Sequence, residues 1–124
     1  MWPDCRIQDL FGIEIPIVQA PMAGFVTAEM VAAVSEAGGL GSLPCALLNA
    51  EQLRGELSIV RQKTSRPINI NFFCHHQPKV DAEREITWRE PLANYYIELG
   101  LDPKAPIPSS TRTAFDEAMC DVVV

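Results

Sequence analysis

Short, largely apolar segments alternate with helical patterns over the first 73 residues. Segments 15–20, 40–43 and 68–73 are rich in β-branched or small residues, and each has a proline at one end, which predicts three strands. They start at residues 15, 40 and 68, so the starts lie 25 and 28 residues apart. This spacing is typical of βαβ units with right-handed crossovers, and it predicts a parallel sheet.

A helix is predicted between consecutive strands. Thr27 is a suitable N-cap for the first helix, and Gly38 is a suitable stop. The apolar residues of that helix recur at i, i+4 and i+7: Met30, Val34 and Ala37. Asn49 and Gln52 have the spacing of a capping box at the start of the second helix. The apolar stripe of the second helix comprises Leu53, Leu57 and Val60.

The pattern changes after the third predicted strand. Asp81 is placed to cap a further helix, which Pro91 kinks and Gly100 ends. The large apolar residues of that helix are Trp88, Leu92, Tyr95 and Leu99. A proline-rich stretch follows it. This part of the chain therefore leaves the alternation of strands and helices.

A last helix is predicted near the carboxyl terminus. The pattern Thr113-x-x-Asp116 opens it, and its apolar side comprises Phe115, Met119 and Val122. We interpret residues 74–113 as a helical and proline-rich insertion in the loop after the third strand, where barrel enzymes build their active sites. Residues 114–124 then form the start of the next helix.

The element order predicts an α/β fold, the amino-terminal portion of a (β/α)8 TIM barrel with about three βα units. Such a barrel needs about 250 residues. Residues 1–124 therefore form an incomplete TIM-barrel domain, with residues 1–73 supplying the first three strands and two helices. Parallel strands need cover on both faces, so unpaired strand edges are expected to favour aggregation of this chain alone.

Charge and composition exclude several kinds of partner. The formal net charge is −6, and the 10 Lys and Arg residues form no cluster, which argues against nucleic acid. No uncharged stretch exceeds 14 residues, whereas a membrane-spanning helix needs about 20, so membrane insertion is not expected. The first residues lack the features of a signal peptide, and the four cysteines contain no C-x-x-C motif. We expect free thiols and a cytoplasmic location.

Candidate binding residues stand at the carboxyl ends of the predicted strands, where parallel α/β proteins bind their ligands. Ala20, Pro21 and Met22 follow the first strand, and their small size and fixed proline geometry let the backbone approach a flat ring. Asn69 and Asn71 point to one face of the third strand, where their amides need a polar ligand or ordered water. Alternatively, residues 20–22 form a plain bend between strand and loop, and Asn69 and Asn71 lie on the solvated face of an edge strand.

Three segments in fixed order resemble the bacterial branch of the nitronate monooxygenase family, formerly called 2-nitropropane dioxygenase. They read FGIEIPIVQAPMAG, TAEMVAAVSEAGGLGSL and EQLRGELSIVRQKTSRPININFFCH. The similarity is strong over residues 10–76 and extends into the insertion. The resemblance implies an FMN-dependent TIM barrel that oxidises alkyl nitronates with O2 to a carbonyl compound and nitrite.

The same resemblance assigns roles to the candidate residues. It implies that Ala20, Pro21 and Met22 lie against the flavin ring and that Asn71 contacts FMN, with Asn69 as a less certain neighbour. It also implies that the catalytic histidine and the loops that bind the FMN phosphate come after residue 124. No catalytic residue is therefore assigned within this chain.

His75 and His76 form the run Cys-His-His with the preceding cysteine. Adjacent side chains of an extended chain point in opposite directions, so the pair is poorly placed to share one metal ion. We interpret both histidines as loop residues and assign no metal.

Two other functions stay open at this point. The flavin-dependent enoyl-acyl carrier protein reductase family shares the barrel and a similar start, with Gln-Gly-Gly-Met where this chain has Gln19-Ala20-Pro21-Met22. The Ala-Pro pair favours nitronate oxidation. The third hypothesis is a non-enzymatic, truncated remnant, and residues 1–124 alone are expected neither to bind FMN tightly nor to turn over nitronates.

Overall fold

The computed structural model describes residues 2–76, 79, 81–106 and 114–124. These residues divide between two compact units. The sheet unit comprises residues 1–75 and 112–124, and the helical unit comprises residues 76–111. Among the described residues, the sheet unit carries both strands, and no helix has the length and apolar character needed to cross a bilayer.

Over the described residues the chain forms six α-helices, two short strands and one 3-10 turn. In chain order they are α1 (Arg6–Phe11), α2 (Ala28–Glu36), β1 (Gly41–Pro44), α3 (Ala50–Lys63), β2 (Ile68–Asn71), α4 (Ala82–Arg89), a 3-10 turn (Glu90–Leu92), α5 (Ala93–Glu98) and α6 (Glu117–Val123). β1 and β2 pair in parallel, with Gly41 opposite Ile68 and Pro44 opposite Asn71. The predicted parallel pairing is confirmed, and α3 is the crossover between the two strands.

The prediction of a full strand over residues 15–20 was wrong. This segment contributes a single parallel bridge, between Val18 and Leu40. Pro16 has no N–H to donate, and the N–H of Ile17 turns back to the carbonyl two residues earlier at 2.7 Å. The ladder therefore cannot extend toward the amino terminus, although the segment does run parallel to β1.

The third predicted strand is shorter than residues 68–73. β2 ends at Asn71, whose backbone carbonyl accepts a hydrogen bond from the N–H of Cys45 at 2.8 Å. The carbonyl of Phe73 instead accepts from the N–H of Phe115 at 3.0 Å, and the rings of Phe72 and Phe115 lie 4.7 Å apart. The chain after β2 is thus tied to the segment that precedes α6.

Helix α2 has the predicted ends but a different buried face. The Oγ1 of Thr27 accepts from the N–H of Met30 at 3.3 Å, and the chain leaves the helix through Gly38, whose φ is 91°. The predicted apolar stripe was Met30, Val34 and Ala37. The side chains that are buried are instead Ala28, Val31, Ala32 and Ser35, while Met30 is 45% exposed. Small residues face the sheet because α2 lies very close to β1.

The contact between α2 and β1 depends on Gly41 and Ser35. The Oγ of Ser35 accepts from the N–H of Gly41 at 3.1 Å and donates to the carbonyl of Pro67 at 2.9 Å. A methyl group on Gly41 would overlap the carbonyl oxygen of Val31 and lie 2.9 Å from the Ser35 hydroxyl. Only a residue without a side chain allows this approach of helix and strand.

The core of the sheet unit lies between the sheet and helices α2, α3 and α6. Its buried members are Val26, Ala28, Val31, Leu43, Cys45, Leu53, Val60 and Met119. The predicted stripe of α3 is confirmed, since Leu53 and Val60 are fully buried and Leu57 packs against the same cluster. This burial supplies the main driving force for the unit.

The predicted capping box of α3 is present in the structure, whereas α6 begins at Glu117, later than predicted, so that Phe115 precedes the helix. The Oδ1 of Asn49 accepts from the N–H of Gln52, and the Oε1 of Gln52 accepts from the N–H of Asn49, both at 2.9 Å, which completes the capping box. Asp116 caps α6 by accepting from the N–H of Met119 at 2.9 Å. Thr113, which the sequence pattern predicted as the start of this helix, lies outside the described residues.

The helical unit contains the predicted cap and the predicted break. The Oδ1 of Asp81 accepts from the N–H of Arg84 at 3.1 Å, and Pro91 lies in the 3-10 turn that separates α4 from α5. The guanidinium of Arg89 lies 5.6 Å from the centre of the Tyr96 ring and donates to the carbonyl of Pro103 at 3.2 Å. The large apolar residues predicted for this helix are exposed within the structure: Trp88, Leu92, Tyr95 and Leu99.

The four cysteines are free thiols, and Cys45 belongs to the core. Burial raises the pKa of the Cys45 thiol to about 11 from an ordinary 9.0. The folded state therefore holds this proton more tightly than the unfolded state does. The resulting stabilisation is complete below pH 9.0 and is lost as the pH rises through about 11.

We expect Cys45 to resist alkylation by iodoacetamide at about pH 8, because the thiolate is the reactive form and the thiol is buried. The exposed thiols of Cys5 and Cys74 are expected to react under the same conditions. Peptide mass spectrometry after timed labelling measures both rates, and labelling in urea shows that Cys45 is reactive once unfolded. Equal labelling rates for Cys5 and Cys45 in the folded chain would contradict the burial.

Candidate ligand-binding site

The two faces of the sheet carry different side chains. Leu43, Ile68 and Ile70 pack into the core beneath the helices. Because successive residues of a strand point to opposite faces, the alternate positions lie on the other side. They are Ser42, Pro44, Asn69 and Asn71, and the register sets Ser42 opposite Asn69. We call this side the polar face.

A chain of hydrogen bonds crosses the polar face. The backbone N–H of Ser42 donates to the Oε1 of Gln19 at 3.3 Å, and the Nδ2 of Asn69 donates to the Oγ of Ser42 at 3.2 Å. The side chains therefore connect three neighbouring segments: the one that contains Val18, β1 and β2. Ser42 is completely buried, whereas both hydrogen bonds are partly buried because Gln19 and Asn69 are half-buried.

One polar atom of this arrangement has no partner among the residues that the structure describes. It is the Nε2 of Gln19, which is buried. A buried donor left unpaired costs about 1–3 kcal/mol. A bound molecule with a hydrogen-bond acceptor would remove that cost, so the polar face suits a polar ligand.

The turn at residues 20–22 lies at the carboxyl edge of the sheet. Val18 pairs in parallel with Leu40, so the chain that follows runs in the same direction as β1 and β2, which end at Pro44 and Asn71. The carbonyl of Met22 accepts from the N–H groups of the third and fourth residues after it, at 3.2 and 3.0 Å, which closes a turn ahead of α2. Ala20 and Met22 are exposed, and Pro21 is half-buried.

The two asparagines of β2 occupy different environments. Asn69 is engaged with Ser42 inside the sheet, whereas Asn71 is the last residue of its strand and lies half-buried at the same edge as the turn. The parallel strand direction therefore puts both groups of residues selected from the sequence at the carboxyl edge of the sheet, on either side of β1. Their role in binding a cofactor stays a prediction.

Sequence reasoning did not single out Gln19 or Ser42 as site residues. Ser42 lies in a short run of small and apolar residues, and its importance comes from standing opposite Asn69 in the register. Gln19 is the one amide in an otherwise apolar segment, and this was the available signal. A polar residue within a covered strand needs a partner, and here the partner is the N–H of Ser42.

Charged side chains gather at the opposite, amino-terminal edge of the sheet. Arg66 pairs with Glu14 at 2.5 Å, and the hydroxyl of Thr64 donates to Glu36 at 2.5 Å. The side-chain hydrogen bond that Arg66 donates to Glu14 raises the pKa of Arg66. The polar face, in contrast, is built from amides and a hydroxyl, which suits an uncharged polar ring better than an ion.

His75 and His76 are both exposed. The ring of His75 lies 6.2 Å from that of Phe73 in an edge-on arrangement. Over the described ranges, no group of three His, Cys, Asp or Glu side chains is arranged to hold a metal ion.

Known proteins resemble this chain in sequence. The family model described as nitronate monooxygenase matches residues 5–114. A nitronate monooxygenase of Paraburkholderia phytofirmans is 44% identical over 115 residues, which cover 91% of this chain and 31% of that protein. A nitronate monooxygenase of Pseudomonas aeruginosa is 43% identical over 98 residues, which cover 79% of this chain and 28% of that protein.

Solved structures resemble it as well. A nitroalkane oxidase from Streptomyces ansochromogenes has a TM-score of 0.62 and 32% identity, covering 94% of this chain and 30% of that one. FabK from Thermotoga maritima has a TM-score of 0.54 and 35% identity, covering 77% of this chain and 28% of that one. The likenesses confirm the α/β class and are consistent with part of a barrel.

The chain spans 31% and 28% of the length of the two curated relatives described above. The family match nevertheless extends over most of the chain, including the turn at residues 20–22, both strands and the helical unit. The chain therefore belongs to the nitronate monooxygenase family.

Proposed function

We propose that this chain is the amino-terminal portion of an FMN-dependent TIM-barrel enzyme that oxidises alkyl nitronates with O2 to a carbonyl compound and nitrite. The observation that carries the proposal is the parallel strand direction, which puts the turn at residues 20–22, Asn71 and the polar face at the carboxyl edge of one sheet. Ligands of parallel α/β proteins bind at this edge. Membership of the family supports the reaction.

The residues at the edge fit a flavin. Ala20, Pro21 and Met22 would present a small, accessible stretch of backbone to the ring, and Asn71 would offer its amide. The buried, unpartnered Nε2 of Gln19 is an independent sign that a polar group belongs beside this face. When bound, FMN supplies the electron transfer between nitronate and oxygen.

The part played by this chain is binding and orientation. The hydrogen bonds from Asn69 to Ser42 and from Ser42 to Gln19 hold the three segments in register, and the core behind them keeps the face rigid. We assign no catalytic residue to residues 1–124. The catalytic base and the phosphate-binding loops are proposed to lie in the region that corresponds to the remaining length of the relatives.

The proposed partners are an alkyl nitronate and O2. The net charge of −6 makes nucleic acid a poor partner for this surface. A cytoplasmic location is the setting that we propose for the free thiols.

A chimera tests the proposal. Residues of this chain would replace the aligned 98-residue segment of the Pseudomonas aeruginosa nitronate monooxygenase. We expect a yellow protein that consumes O2 and releases nitrite when an alkyl nitronate is added. A folded but colourless chimera would argue against the flavin, and enoyl reduction with NADH in place of nitronate oxidation would favour the enoyl-acyl carrier protein reductase alternative.

Residues 1–124 alone are expected to release no nitrite from a nitronate and to bind FMN only weakly. The reason is that the proposed phosphate loops and the remaining barrel strands are not among these residues. Oxygen-electrode and nitrite assays on the purified chain, with the chimera as the positive control, measure this. A yellow, monomeric and active 124-residue chain would overturn the incomplete-barrel interpretation, and an inactive chimera would favour a non-enzymatic remnant.

A further inference from the structure

We propose that Gln19 binds the flavin ring through its side-chain Nε2 and that Ser42 is the residue that positions it. This inference rests on the proposed function and deepens it, because it assigns a hydrogen-bond donor that the family resemblance did not supply. The ligand group is a neutral acceptor, a carbonyl oxygen or ring nitrogen of a flat heteroaromatic ring.

Backbone hydrogen bonds join the Val18 segment to the residue that precedes β1. The N–H of Leu40 donates to the carbonyl of Ile17, and the N–H of Gln19 donates to the carbonyl of Leu40, both at 2.9 Å. In a regular parallel ladder the next donor, the N–H of Ser42, would meet the backbone carbonyl of Gln19. It meets the Oε1 of the Gln19 side chain instead.

The hydrogen bond from the Ser42 N–H to the side chain fixes the orientation of the Gln19 amide. A backbone N–H can only donate, so the atom that it meets must be the carbonyl oxygen of the side chain. The Nε2 is then directed away from Ser42. It is buried, it can only donate, and it has no partner in the part of the chain that the structure describes.

Ser42 and Asn69 keep this donor in place. The Oγ of Ser42 is completely buried and accepts from the Nδ2 of Asn69, so the register of β2 is transmitted to the position of Gln19. Gln19 directly precedes the turn at residues 20–22, and its donor therefore lies beside the backbone proposed to meet the ring. An uncharged amide donor suits an uncharged ring acceptor.

The experiment uses the chimera with the Pseudomonas aeruginosa relative described above, labelled with ¹⁵N, freed of FMN and titrated with riboflavin. Riboflavin contains the flavin ring but no phosphate, so its binding does not require phosphate loops. We expect the side-chain amide signals of Gln19 to shift and to saturate together with the backbone signals of Ala20 and Met22. A parallel titration with an alkyl nitronate is expected to leave the Gln19 signals in place.

Two variants separate ligand binding from a purely structural role. Gln19→Glu keeps the oxygen that accepts from Ser42 and removes the donor, whereas Gln19→Met removes both. We expect Gln19→Glu to retain more of the parent's melting temperature than Gln19→Met does, and to bind riboflavin about tenfold more weakly than the parent. Gln19→Met is expected to lose both affinity and melting temperature.

The titration distinguishes failure of this inference from failure of the proposed function. If Ala20, Met22 and Asn71 respond to riboflavin while the Gln19 amide does not, the inference fails and the proposed function stands. If no residue of this edge responds, both the inference and the flavin part of the proposed function fail. Gln19 signals that shift with the nitronate but not with riboflavin, or a Gln19→Glu variant that binds riboflavin like the parent, would also overturn the assignment.

Discussion

Replacing Gly41 with alanine is expected to lower the free energy of unfolding of the sheet unit by about 3 kcal/mol or more. The added methyl group would overlap the carbonyl oxygen of Val31 and crowd the hydroxyl of Ser35. Neither neighbour can move away cheaply, since one is helix backbone and the other bonds to both Gly41 and Pro67. Urea denaturation followed by circular dichroism measures the loss.

Gly55→Ala is the matched control. Gly55 lies in α3, and a methyl group there meets no atom within 4 Å. Alanine is the better helix former, so this variant is expected to gain about 0.5–1 kcal/mol. If the two substitutions shift the urea midpoint by similar amounts, the close packing of α2 on β1 described above is not correct.

Replacing Leu53 with alanine is expected to cost about 3 kcal/mol of unfolding free energy, within the range of 2–5 kcal/mol for buried leucines. Leu53 is fully buried in α3 and belongs to the cluster that also contains Leu43 of β1. The substitution removes apolar contacts and leaves a cavity behind the sheet. Thermal and urea unfolding of the variant measure the loss.

Ile59→Ala serves as its control, because Ile59 lies on the same helix and is 37% exposed. Removing a partly exposed side chain is expected to change the unfolding free energy by less than about 1 kcal/mol. A cost for Ile59→Ala that equals or exceeds that of Leu53→Ala would show that α3 presents a different face to the sheet. The cluster would then not be the support of the polar face.

Strand β1 belongs both to the core and to the proposed site. Leu43 points into the core and Ser42 points to the polar face, so adjacent residues of β1 carry the packing and the hydrogen bonds. A change that shifts β1 therefore shifts the partner of Gln19. The stability variants should be examined by the riboflavin titration as well as by unfolding.

Local patterns were sufficient for much of the fold. The capping box at Asn49, the cap at Asp81 and the break at Pro91 depend on residues within a few positions of each other, so the sequence predicts them directly. The stripe of α3 was also predictable, because few of its residues are apolar. The turn at residues 20–22 and Asn71 were predictable from strand polarity, although their contact with a cofactor stays a prediction.

Other features could not be predicted locally. Helix α2 contains apolar or small residues at many positions, so both the stripe through Met30 and the face through Val31 satisfy the helical period. Only the proximity of β1 decides between them. The segment at residues 15–20 has a strand-like composition, but Pro16 removes a donor, so the ladder does not extend from Val18 toward the amino terminus.

The amino-acid sequence by itself determined the parallel βαβ order, the caps of α2, α3 and α4 and the family, because these depend on short-range chemistry and on motifs in fixed order. Only the tertiary structure decided which face of α2 is buried, that a side chain at position 41 has no space beside α2, and that Ser42 links Gln19 to Asn69. Those relations join residues 6 to 32 positions apart in the chain. Their partners are set by strand register and helix packing, which exist only once the chain has folded.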